Sequence, residues 1–103
     1  MIVIGKVQEI YRDSSLPAIK ENVLKLDQAT KDVVLKYLKK GKVTSSAPST
    51  ARDVLTGEKL GFSLTMQSDG EYAWRSDTVY YFEKYDLNLG NEFIGHVMNK
   101  TKH

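Results

Sequence analysis

Between Asp69 and Val97 the chain places its only tryptophan, Trp74, together with four of its six tyrosines and two of its three phenylalanines, and spaces acidic residues among them. Rings at this density have to be buried together, so this segment supplies much of the core of any fold the chain adopts. The rings and acids that the core does not use are left facing outward. Asp69-Gly70 is a tight-reversal signal, because glycine accepts the positive φ such a turn demands, and Glu71 to Trp74 then returns as a strand. Ser76 or Asp77 is expected to cap a helix ending at Tyr85, with Thr78, Tyr81, Phe82 and Tyr85 on one face. Asp86-Leu87-Asn88-Leu89-Gly90 reads as a connector. A last helix from near Asn91 turns Phe93, Ile94, Val97 and Met98 inward, and residues 99–103 read as a frayed polar tail. Trp74, Tyr81, Phe82, Tyr85 and Phe93 are the expected core rings.

The preceding stretch has a different period. Phe62, Leu64 and Met66 alternate with Gly61, Ser63, Thr65 and Gln67, the signature of a half-buried strand. Val54-Leu55 and Leu60–Met66 flank a hairpin turn at Thr56-Gly57-Glu58. Val43 to Ala51 is rich in Ser, Thr and Ala, contains Pro48, and reads as a loop or an irregular edge strand. The clearest helix covers 28–40, with Asp27 as N-cap and a buried stripe of Val33, Val34, Tyr37 and Leu38. Lys36, Lys39, Lys40 and Lys42 crowd its C-terminal end, where cations suit the helix dipole, and Gly41 is expected to supply a left-handed terminating residue. Leu16, Ile19, Val23 and Leu26, following Pro17, predict a short helix over 17–25. Ile2 to Arg12 fits a helical face, with a short strand over Ile2–Ile4 as the alternative. The expected fold is a single α+β domain over 1–98. It comprises N-terminal helices, a two- to three-stranded antiparallel hairpin or meander, and two C-terminal helices.

At 103 residues the chain is long enough for one core, and it contains no cysteine, which removes disulfides, thiolate metal sites and a cysteine nucleophile. No apolar run approaches the roughly 18 residues that span a bilayer. Met1-Ile2-Val3-Ile4, followed at once by Gly5 and Lys6, lacks the pattern of a secretory signal, so a cytoplasmic location is the default expectation. Of the two histidines, His96 lies beside the Phe93/Ile94/Val97 stripe and reads as structural, with no nucleophile or orienting acid placed near it. The carboxylates do not follow calcium-loop spacing, and Gly57, Gly61 and Gly70 do not form a phosphate-binding loop. The expectation is no catalytic residue, no metal and no cofactor.

Charge is polarised along the chain. Residues 1–42 carry a net +4 and residues 53–92 a net −5, within an overall +2. A nucleic-acid-binding accessory module would use the basic Lys36–Lys42 end with Arg52, but Tyr72, Trp74 and Tyr80 travel with acids, which repel a phosphate backbone. The outward remainder of the aromatic segment better suits a protein partner. Its candidate partner-binding residues are Asp69, Glu71, Tyr72, Asp77, Tyr80 and Glu83. A regulatory subunit that is not an enzyme is a further alternative.

The order of motifs resembles a loosely defined group of small bacterial proteins. The shared features are Tyr37-Leu38-Lys39-Lys40-Gly41 at a helix end, the turn Asp53-Val54-Leu55-Thr56-Gly57-Glu58, and Asp69-Gly70-Glu71-Tyr72-Ala73-Trp74. A helix with paired tyrosines over Ser76–Tyr85 and the segment Glu92-Phe93-Ile94-Gly95-His96 complete the pattern. The likeness covers residues 33–98 and departs at Gly90, where the group usually has proline. Proteins of this look occur as immunity proteins beside contact-dependent growth inhibition toxins and other polymorphic toxins. The resemblance implies that the chain binds and neutralises a cognate toxin C-terminal domain, commonly a nuclease, in the cytoplasm and without enzymatic activity of its own. Acidic side chains standing in for phosphates would occupy a basic cleft.

Overall fold

Trp74 is fully buried where the sheet meets two helices, and its indole Nε1 donates to the carbonyl of Leu38 at 3.2 Å. The computed structural model describes residues 2–101 of the chain. In order, these form β1 (Ile2–Val3), α1 (Gln8–Tyr11), a 3-10 turn (Ile19–Glu21), α2 (Gln28–Lys39), β2 (Lys42–Arg52), β3 (Lys59–Ser68), β4 (Tyr72–Arg75), α3 (Ser76–Tyr85) and α4 (Asn91–Lys100). The fold class is α+β, as expected, but the sheet has four strands rather than two or three and is mixed. Its order is β1-β4-β3-β2, with β1 parallel to β4 and the other pairs antiparallel.

The core gathers Ile4, Val7, Ile19, Val34, Leu38, Trp74, Tyr81, Phe82, Phe93 and Val97 from both halves of the chain. α2 forms where the pattern places it. Asp27 accepts from the Thr30 amide at 3.2 Å and from the Thr30 hydroxyl at 2.7 Å, which satisfies a free donor of the first turn. Those two bonds lower the Asp27 carboxyl below its ordinary value. Gly41 ends the helix differently from the expectation. It is not among the positive-φ glycines; instead, a Cβ built on it would overlap the Trp74 ring. Glycine is needed there for close packing rather than for a left-handed turn.

Four further expectations are corrected. The helix over 17–25 is reduced to the Ile19–Glu21 turn, because the following residues pair with residues 86–88, just after α3. Leu24 N donates to Asp86 O, Asn88 N donates to Asn22 O, and Val23 bridges Leu87, so the backbone groups a helix would use are spent across the chain. Neither Ser76 nor Asp77 caps α3. The preceding Arg75 is extended and makes no side-chain cap, while Ser76 Oγ donates to Ser63 O and accepts from Thr65 N, lashing the helix start to β3. Val54-Leu55 lie within the β2–β3 turn rather than in a strand. α4 continues to Lys100, so Asn99 and Lys100 are helical rather than frayed; residues 102 and 103 of the expected tail lie outside the described residues.

At the start of the chain both readings apply in part, with a strand at Ile2–Val3 and one helical turn at Gln8–Tyr11. β2 is the irregular edge strand, exposed at every position except Ala51, and its pairing with β3 shifts register three times. Asp69-Gly70 makes the expected reversal, with Gly70 at φ 101. No helix among the described residues is long and apolar enough to cross a membrane.

Candidate functional site

The six residues expected at a partner surface fall in three places. Asp69, Glu71 and Tyr72 lie together on the β3–β4 turn; Tyr80 and Glu83 lie on α3; Asp77 lies inside. Asp77 is only 2% exposed, which removes it from any binding surface. Its carboxylate accepts from Arg75 Nε at 3.0 Å and Nη2 at 2.9 Å in a forked ion pair. Burial raises the Asp77 carboxyl above its ordinary value in spite of that arginine.

The β3–β4 turn is the most developed site. Asp69 Oδ1 accepts from the amides of Glu71 at 2.9 Å and Tyr72 at 2.8 Å, which fixes the reversal. Asp69 Oδ2 accepts from the hydroxyl of Tyr37 on α2 and lies 2.7 Å from Nε2 of His96 on α4. An ionised carboxylate only accepts, so His96 Nε2 carries the hydrogen and donates. Three elements are therefore joined at one carboxylate. Burial alone would raise the Asp69 carboxyl, but the Tyr37 hydroxyl, the two turn amides and His96 outweigh it and hold it well below the usual range. Tyr37 moves the other way: burial and then its bond to the Asp69 carboxylate push its hydroxyl well up.

Aromatic packing stiffens this corner. The Tyr72 ring lies 4.7 Å from His96 and 5.1 Å from Phe93, both between centroids, and Tyr37 packs between Trp74 and Phe93. Glu71 stands out from it, with its side chain 62% exposed and only longer approaches to His96 Nδ1 at 3.7 Å and Lys100 at 3.8 Å. The result is an acidic side chain presented beside a half-buried tyrosine on an immobilised turn.

The α3 site is built around Asp53, which sequence reasoning treated only as a turn residue. Asp53 is fully buried and accepts from Tyr80 at 2.7 Å, Tyr85 at 2.6 Å, and the amides of Leu55 at 2.8 Å and Thr56 at 3.2 Å. Burial pushes its carboxyl up, but these four bonds prevail and leave it below its ordinary value. The Tyr81 hydroxyl donates to Arg52 O and accepts from Val54 N, and burial pushes it up to about 12. The paired tyrosines thus fasten the β2–β3 turn to α3. Tyr80 is half-buried with its hydroxyl already engaged, and of this pair Glu83 is the one that is openly exposed.

The basic end has a different character. Lys36, Lys39, Lys40 and Lys42 have no ion-pair partner among the described residues. Trp74 is buried, Tyr72 packs on Phe93 and His96, and the Tyr80 hydroxyl is spent on Asp53, so these rings do not form the stacking platform that a nucleic-acid module needs. Tyr37 and His96 were missed as members of the Asp69 site. Their sequence separations from Asp69, 32 and 27 residues, leave no local signal to find. No protein-family model matches this chain, and no curated protein or solved structure matches it.

Proposed function

We propose that this chain is an immunity protein that binds a cognate bacterial toxin domain in the cytoplasm and neutralises it by protein–protein contact, without catalysis. The observation that carries the reading is the rigid acidic corner at the β3–β4 turn, where Glu71 projects beside Tyr72 while Asp69, Tyr37 and His96 hold the backbone still. Tyrosine anchors set among fixed polar groups lose little entropy on docking and are frequent at the centres of tight interfaces. An exposed carboxylate on such a corner complements the basic cleft of a nuclease and raises the rate of encounter. Glu83 contributes acid from a second position on α3, while Asp77 takes no part.

Co-expression provides the test. The candidate partner to seek is the C-terminal domain of a large exported protein encoded beside this chain. With that domain the chain is expected to restore growth and to co-purify as a complex. Failure of the folded chain to do either removes the reading.

A further inference from the structure

We propose that the groove between the end of α2 and the β3–β4 turn binds a small organic anion, a flat apolar body carrying a phosphate or carboxylate group. The groove has a volume of about 540 Å³, within the roughly 300–1,000 Å³ typical of small-molecule sites. Its lining, mostly apolar, includes Tyr37, Gly41 and Thr44 on one side of the chain path and Ser68, Asp69 and Gly70 on the other. The tyrosine ring and the lysine stems suit a flat apolar body.

Charge selects the head group. Asp69 also lines the groove, but its side chain is 12% exposed and its two oxygens already accept from the Tyr37 hydroxyl, His96 and the amides of Glu71 and Tyr72. Asp69 stays ionised, but each of its oxygens already accepts two hydrogen bonds within the protein. Lys40 and Lys42 line the same groove and have no ion-pair partner among the described residues. Two ammonium groups against one carboxylate leave the groove lining net positive.

The segment carrying those two lysines is also fixed. Gln67 Nε2 donates to Leu38 O at 3.4 Å and to Gly41 O at 3.1 Å, and Gly41 rests directly on the Trp74 ring. Two ammonium groups thus spring from a clamped backbone on either side of Gly41, an arrangement that lowers the ordering cost of gripping one anion. Gly70 opposite has open space where a side chain would stand, which leaves the turn side of the groove clear. This site is separate from Glu71 and does not depend on a protein partner.

The test is an amide NMR titration of the full chain at constant ionic strength with four probes: phenyl phosphate, benzoate, inorganic phosphate and phenol. Phenyl phosphate or benzoate is expected to move the Gly41, Lys42, Ser68 and Gly70 signals saturably, and the stronger of the two identifies the head group. Inorganic phosphate and phenol, each supplying one half of the ligand, are expected to bind at least about tenfold more weakly, a difference of about 1.4 kcal/mol. The double variant Lys40→Ala/Lys42→Ala is expected to lose at least about tenfold in affinity by the same measure, with its remaining spectrum unchanged. The single variant Thr44→Arg, which fills the groove and adds positive charge, separates shape from charge by abolishing binding. Equal binding of inorganic phosphate, shifts scattered away from the groove, an unaffected double variant, or no binding of either aromatic anion overturns the proposal.

Discussion

His96 Nε2 and Asp69 Oδ2 meet at 2.7 Å, joining the last helix to the β3–β4 turn through the same oxygen that accepts the Tyr37 hydroxyl. Replacing Asp69 by Asn keeps an oxygen for the Glu71 and Tyr72 amides but sets an NH₂ group against two donors. Asp69→Asn is expected to cost about 1–3 kcal/mol of stability by urea unfolding at neutral pH. The sign of its pH dependence follows from the depressed folded carboxyl. The stabilisation is fully present above the unfolded value of about 3.9 and is lost as pH falls through the lower folded value. Wild type and variant should therefore converge in acid; a gap that stays constant down to strongly acidic pH contradicts this assignment.

Asp53 is the larger structural commitment. Asp53→Ala strands two tyrosine hydroxyls and two turn amides, and is expected to cost about 2–4 kcal/mol. Tyr80→Phe removes one bond and should cost about 1 kcal/mol; Tyr85→Phe should also destabilise, with the double variant departing from additivity because both bonds share one oxygen. Denaturant midpoints measure all four, and amide exchange at 53–58 should rise first.

Gly41 tests the contact with Trp74. An added Cβ overlaps a buried ring that also packs on Tyr37 and Phe93, so neither partner can move freely. Gly41→Ala is expected to destabilise by about 1–3 kcal/mol and to shift the emission of the single tryptophan. An unchanged midpoint and spectrum would show that the helix end relaxes without cost.

Arg75 is the cation that accompanies the buried Asp77. Truncation by Arg75→Ala leaves a carboxylate that is 3% exposed without a counter-charge, and should cost about 2–4 kcal/mol at neutral pH. With the arginine gone, burial acts on Asp77 unopposed and favours its neutral form. The deficit is therefore expected to shrink as pH falls through the raised folded value of Asp77, and to do so at higher pH than the Asp69 gap closes, because the Asp69 carboxyl is lowered.

These residues also mark what sequence pattern carries and what it does not. Asp27 with the Val33/Val34/Tyr37/Leu38 stripe located α2, and Asp69-Gly70 located the β3–β4 reversal, because caps and tight turns are decided by neighbouring residues. β2 is a strand by virtue of its partner: Ser45, Ser46 and Thr50 show no alternation, and only pairing with β3 orders them. The parallel pairing of Ile2 with Tyr72 spans most of the chain, and the Asn22–Leu24 pairing with 86–88 overrode a plausible helical pattern. Of the candidate surface, Asp69, Glu71 and Tyr72 were adjacent in sequence and remain adjacent in space. Tyr37 and His96 join them only through tertiary packing, and Asp77 left the list because Arg75 accompanies it into the interior.

The acidic corner is tested most directly by measuring the affinity of the purified chain for the proposed partner, a toxin domain encoded beside it, by calorimetry, alongside Glu71→Lys and Tyr72→Ala variants checked for native folding. A one-to-one complex is expected, weakened at least about tenfold, or roughly 1.4 kcal/mol, by either substitution. A folded wild-type chain that forms no complex, or a complex indifferent to both substitutions, contradicts the account.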